Sequence, residues 1–177
     1  MMGKRSSFAR RERDFYPTPA EAVTPLLPHL PAGTTFIEPC AGDGALVKHL
    51  AAFGHYCVRA LDIEPQGVAI EKADALTDDG LHRWQADYII TNPPWSRPVL
   101  HQMIAKFSSI MPTWLLFDAE WMHTRQSAPY MPMLRKVVSV GRVKWIPDSK
   151  MTGKDSAAWH LFDAKRHGAT EFVGRTA

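Results

Sequence analysis

The chain has 177 residues, 45% of them hydrophobic, which is enough for one ordinary domain, and its formal net charge is only +3 at pH 7. No apolar run approaches the ~18 residues of a membrane span, the charged stretch 1–15 has no apolar leader core, and Cys40 and Cys57 show neither metal-ligand nor disulfide spacing. Composition therefore argues against a membrane protein, a disulfide-stapled module and a metal-ligated domain, and the simplest expectation is a reducing, cytoplasmic setting.

Residues 4–13 carry Lys4, Arg5, Arg10, Arg11 and Arg13 against Glu12 alone. Residues 1–13 are expected to form a disordered basic arm, either contacting phosphates or acting as a solvated tail. Residues 14–177 read as a single domain. From Pro19 to Leu30 the pattern predicts a short helix, capped by Thr18, with Pro19 at the first helical position where a missing N–H does no harm. "TTFIEPC" reads as a strand, "GALVKHLAAFG" as a helix closed by Gly54, and "YCVRALDIEP" as a second strand. A brief strand or turn around Ile70 and Asp74 follows, then an irregular or helical link in "DDGLHRWQ" and the strand "ADYIITNPPW". The helix "RPVLHQMIAKFSSI" leads to the strand "TWLLFDAEW", and two more strands, "RKVVSVGRVKWIP" and "AAWHLFDA", flank the polar loop "PDSKMTGKD".

Strand and helix alternate through the first hundred residues, which argues an α/β fold with a mostly parallel sheet and helices on both faces. No helical pattern separates the last two strands, so they are expected to pair antiparallel at one sheet edge. Seven strands with an antiparallel edge strand suit a class I methyltransferase, a Rossmann-like fold.

Two stretches carry the chemistry. "FIEPCAGDGAL" places Glu38 ahead of Gly42 and Gly44 at a strand-to-helix junction, where glycines permit close backbone approach and helix N–H groups converge. A dinucleotide fingerprint would have a third glycine where Val47 stands. Glu38 would repel a pyrophosphate but suits a cofactor with a cationic amino group. Asp62, at the end of the second strand, is placed to accept from ribose hydroxyls, and Asp74 from an adenine amine. Three carboxylates without a phosphate cradle fit S-adenosylmethionine better than NAD or ATP. The second stretch is "IITNPPWSRP", where prolines end a strand because they cannot extend its hydrogen-bond ladder.

With the Asn92-Pro93-Pro94-Trp95 motif, the segment "DFYPTP" and the glycine motif together, the chain resembles the amino-methyltransferases of DNA, particularly the N6-adenine group in its gamma-like motif order. The combination also looks like small phage or prophage methyltransferases, implying a bacterial or phage-infected host cell. The motifs of this resemblance span roughly residues 14–120. It implies a cofactor set of Tyr16, Thr18, Glu38, Cys40, Ala41, Gly42, Gly44, Asp62, Ile63, Asp74, Ala75 and Asn92, and no metal. Asn92 and Pro93 would hold the two amine protons of an extruded adenine, Pro94 would stiffen the turn, and Trp95 would stack on the base. Trp121, His123 and Arg125 in a mobile loop, and Lys150 and Lys154 in the last polar loop, are expected to face the nucleic acid, most simply DNA. No separate recognition domain is expected within residues 14–177, so specificity is expected to be short and loop-borne or supplied by a protein partner or second copy. The rival readings are methylation of RNA, of cytosine N4 or of a protein glutamine amide, and a non-catalytic nucleic-acid-binding subunit.

Overall fold

The computed structural model describes residues 16–148 and 152–175; the basic arm and Lys150 lie outside them. Its eight strands are β1 (Thr35–Glu38), β2 (Tyr56–Asp62), β3 (Glu71–Lys72), β4 (Tyr88–Thr91), β5 (Thr113–Asp118), β6 (Leu134–Arg142), β7 (Ser156–Phe162) and β8 (Glu171–Val173). They form one sheet in the order β3-β2-β1-β4-β5-β7-β6-β8. β7 runs antiparallel to both of its neighbours, β5 and β6, and every other pair is parallel. The strand order reverses between β1 and β4, and in open α/β sheets ligands bind beyond the carboxyl ends of the strands at such a switch point.

Side chains alternate across the central strands and supply two cores. Phe36, Ile90, Trp114, Leu116 and Trp159 face one way, against α1 (Ala20–Val23), the 3₁₀ turn Thr24–His29 and α2 (Ala45–Ala52). Ile37, Ile89, Leu115 and Phe117 face the other, against α3 (Arg97–Ile110). Leu100, Met103, Ile104 and Phe107 are the buried stripe of α3, at the spacing that places residues on one helical face. A sheet covered on both faces needs continuously apolar strands, which is why β5 is buried through Thr113–Phe117.

Three expectations are corrected. The antiparallel strand is not at the edge: β7 inserts between β5 and β6, and β6 is followed outward by an eighth strand, β8, parallel to it. The helix expected over Pro19–Leu30 is α-helical only for Ala20–Val23 and tightens to 3₁₀ over Thr24–His29. Pro25 and Pro28 have no N–H to donate there, so an α ladder cannot run through. Thr18 does not cap that helix either; Pro19 holds the cap position without a side-chain bond.

Candidate functional site

At the carboxyl ends of β1 and β2 the chain makes a tight, cross-braced crevice. Gly42 and Gly44 hold φ of 55° and 79°, a left-handed conformation that a side chain strains. The Asp62 carboxylate accepts from Gly42 N at 2.8 Å and from Glu64 N at 2.7 Å. Gln66 N donates to Gly42 O at 2.8 Å, so the segment after β2 clasps the glycine turn from the other side. Gly67 completes the clasp: a Cβ there would stand 2.6 Å from the Asp43 carbonyl oxygen. Asp62 thus orients the glycine backbone, with lone pairs left for a ligand. Ile63 follows it half exposed, an apolar surface at the rim. Asp74 accepts from Leu76 N at 2.9 Å, beside buried Ala75.

Beneath this turn lies Glu38, 2% exposed, whose Oε2 has no hydrogen-bond partner. Burial, then the nearby carboxylates of Asp62 and Asp43, hold its acid well above the usual carboxylate range, and the Val47 backbone offsets this only in part. A buried carboxyl with an unpartnered oxygen is a group that a hydrogen-bonding partner, neutral or cationic, would satisfy. Cys40 and Ala41 line the same turn; the Cys40 thiol lies 3.9 Å from the Met103 sulfur, and burial followed by Asp62 raises its pKa. Tyr16 is half-buried on the segment leading into α1.

β4 delivers the Asn92–Trp95 turn to the same edge. Asn92 Nδ2 donates to Thr18 Oγ1 at 3.2 Å, and Trp95 Nε1 donates to Asn92 Oδ1 at 3.4 Å. An indole N–H can only donate, so the two contacts fix which end of the Asn92 amide faces which neighbour. Thr18, expected as a helix cap, instead positions this amide. Pro93 is buried; Pro94 and Trp95 are half-buried. Trp95 meets Trp145 edge to face, with ring centroids 5.7 Å apart.

Trp145 escaped the sequence reading, because its partner lies fifty residues away. It sits just after β6, where Lys144 N donates to Glu21 Oε1 at 2.7 Å and Gly153 N to Val143 O at 2.8 Å. Gly153 leaves room for it, since a Cβ would press within 3.1 Å of the ring. Lys154 is exposed nearby.

The other expected substrate residues are not gathered here. Trp121 is fully buried, stacks edge-on against Phe117, and donates its N–H to His101 Nε2 at 3.0 Å, so it is a core residue and not a substrate contact. The segment after β5, expected as a mobile loop, forms two 3₁₀ helices, Ala119–His123 and Arg125–Met133, where the Ser127 hydroxyl donates to the Thr124 carbonyl at 2.8 Å with the Met122 carbonyl also in reach at 3.1 Å. His123 and Arg125 are exposed upon them. Among the described residues, no three His, Cys, Asp or Glu side chains are grouped to hold a metal ion, and no helix is long and apolar enough to cross a membrane.

No protein-family model and no curated protein matches the sequence. Solved structures do match in shape. A dimethyladenosine transferase from Plasmodium falciparum superposes with a TM-score of 0.56 at 15% identity, over 85% of this chain and 63% of its own. A proposed RNA methyltransferase from Pyrococcus horikoshii gives 0.56 at 15% identity, over 90% of this chain and 91% of its own. The modification subunit of a proposed type I restriction enzyme from Vibrio vulnificus also gives 0.56, at 11% identity, over 92% of this chain and 47% of its own. The fold is that of the class I methyltransferases. Identities this low speak to architecture, and the chain spans about two thirds or less of two of these three proteins.

Proposed function

We propose that the protein is an S-adenosylmethionine-dependent DNA methyltransferase acting on adenine N6 of an extruded base, with a short sequence preference. The observation that carries this reading is the Asn92 amide, fixed between Thr18 and Trp95 at a strand end that adjoins the glycine crevice. The fit of the cofactor rests on Glu38: its orphaned buried oxygen suits the ammonium of the methionine moiety, with Asp62 and Asp74 turned to ribose and adenine, and Ile63 against the adenine ring. When bound, that cofactor supplies an electrophilic methyl group on a sulfonium.

The chain's own residues then have separable tasks. An exocyclic adenine amine is a poor nucleophile because its lone pair is delocalised into the ring. Asn92 Oδ1 and the Pro93 carbonyl accept hydrogen bonds from its two N–H groups, which pyramidalises the nitrogen and localises the pair. The methylated nitrogen is then a strongly acidic ammonium and loses its extra proton to solvent. Asparagine takes no proton near neutrality, so its contribution is position and electrostatics. The buried prolyl backbone keeps these acceptors in place before the base arrives. Trp95 and Trp145 form an aromatic corner that shelters the base from water and offsets its unstacking. The exposed His123, Arg125 and Lys154 carry side chains whose chemistry suits contacts to the flanking strand. A homodimer or protein partner would extend a recognition surface this small.

Incubation with labelled cofactor and DNA, RNA or protein, followed by mass spectrometry of the product, tests the reading. N6-methyladenine in DNA is expected. Label on cytosine, RNA or glutamine would replace the substrate, and no transfer with any acceptor would refute the activity.

A further inference from the structure

At the start of α3, the helix that leaves the Asn92–Trp95 turn, lies an open cleft of about 410 Å³, walled on its other side by the 3₁₀ helix Arg125–Met133. Its lining is Arg97, Pro98, His101, Gln126, Pro129 and Tyr130. Arg97, in its lining, follows Trp95 by two residues, so the chain passes from the turn that would hold the base directly into the wall of the cleft. Its size lies at the small end of the ~300–1,000 Å³ typical of ligand sites.

The chemistry of the lining favours a neutral, flat, hydrogen-bonding ligand. Arg97 is the cleft's one fixed cation, and it pairs with Asp118 at 2.8 Å, which cancels its charge. His101 is neutral: Trp121 donates to its Nε2, which leaves the ring proton on Nδ1, and burial together with Arg97 lowers its pKa. A phosphate would find no net positive charge here. A heterocycle would find aromatic surface, since His101 and Tyr130 lie with centroids 4.6 Å apart, and two proline faces. It would also find a hydrogen-bonding edge, since the Gln126 amide offers a donor and an acceptor.

We propose that this cleft receives the unpaired nucleobase next to the extruded adenine, Tyr130 stacking on it and Gln126 reading its edge. Sequence-specific readers of single strands combine these two elements, a stacking face and a hydrogen-bonding edge. The inference rests on the proposed activity and assigns the short sequence preference to one cleft. Trp121, buried below, is then a positioning residue that holds the His101 ring through its N–H.

The test uses single-stranded oligonucleotides with one adenine among randomised neighbours. Methylated products are sequenced for the wild type, Gln126→Ala and Tyr130→Ala, with cofactor binding and thermal melting as controls. The wild type should favour one base at one adjacent position by roughly fivefold or more, the scale of a hydrogen-bonded base contact. Gln126→Ala should flatten that preference; Tyr130→Ala should lower kcat/KM about tenfold on all sequences, the scale of a lost stack. Gln126 is exposed, so its variant keeps the test open if Tyr130→Ala does not fold. A flat wild-type profile, or the same profile in Gln126→Ala, overturns the cleft assignment while leaving the activity standing. A wild type that methylates no nucleic acid overturns the activity and this inference with it.

Discussion

Replacing Glu38 by glutamine separates cofactor binding from the rest of the site. Glu38 is buried beneath the glycine turn with one oxygen unpartnered, and burial favours its protonated form. To hold an ammonium it must ionise, so binding of S-adenosylmethionine should release a proton and tighten as pH rises toward the raised pKa. Glu38→Gln keeps the shape but offers no charge. A hydrogen bond to a charged group contributes about 1.5–3 kcal/mol, so affinity should fall roughly 10- to 150-fold. Without ligand the sign inverts. A raised folded pKa means that stability linked to Glu38 is full below its unfolded pKa near 4.5 and is lost as pH rises through the folded value. Glu38→Gln escapes that loss, so the ligand-free variant should melt higher than wild type above neutrality. Calorimetry in two buffers of different ionisation enthalpy reads both proton release and affinity. Unchanged affinity in a folded Glu38→Gln protein, with no proton released by the wild type, would refute the placement of the ammonium.

Asn92→Ala should lower turnover by about two orders of magnitude, the scale of losing one preorganised polar group, and calorimetric cofactor affinity should fall far less than turnover. Trp95→Ala should lose less activity on unpaired than on paired adenine, because extrusion is easier there; equal losses in steady-state assays would contradict a base-holding role. Gly67→Ala should lower stability by about 1–3 kcal/mol and weaken cofactor binding, since its Cβ meets the Asp43 carbonyl at 2.6 Å; denaturant melts and calorimetry check both. His160 is fully buried against Phe117, its pKa pushed by burial down to about 3 from 6.5. Its contribution is present above pH 6.5 and lost as pH falls toward 3, about 2 kcal/mol by pH 5, so acid melts of His160→Leu should show a flatter decline.

The strand-to-helix alternation, the glycine turn and the proline-ended β4 were legible in the sequence because each is written in local residues: Gly42 and Gly44 at positive φ, Gly54 after α2, prolines at a strand end. Neighbour relations were not. Nothing in "AAWHLFDA" says that β7 lies between β5 and β6, since a strand buried on both faces reads alike wherever it sits. β8 is three residues long, too short for any alternation to register. The proline spacing at 25 and 28 did carry the 3₁₀ signal, and the helical reading overlooked it. Trp121 misled because an aromatic just past a strand end looks exposed, whereas its N–H finds His101 across a helix that sequence cannot dock. Thr18 and Asn92 meet across seventy-four residues, and only the assembled sheet brings them together.

The interior place of β7 sets an order of events during synthesis. β5 is complete by Asp118, yet its free edge has no partner until residues 156–162 emerge, and β6, made earlier, can join the sheet only through β7. Until then a strand buried over Thr113–Phe117 in the finished protein presents an unpaired edge, the kind of surface that nascent chains aggregate through. Closing this gap is a long-range step, and such pairings form slowly. The same event seats the start of the chain: Trp159 of β7 donates to the Ala22 carbonyl at 2.7 Å and so anchors α1, whose approach carries Thr18 to Asn92. β7 is therefore one support of the segment that bears Thr18, beside the packing of Ala22, Val23 and Leu26 with Phe36, Leu46 and Leu50.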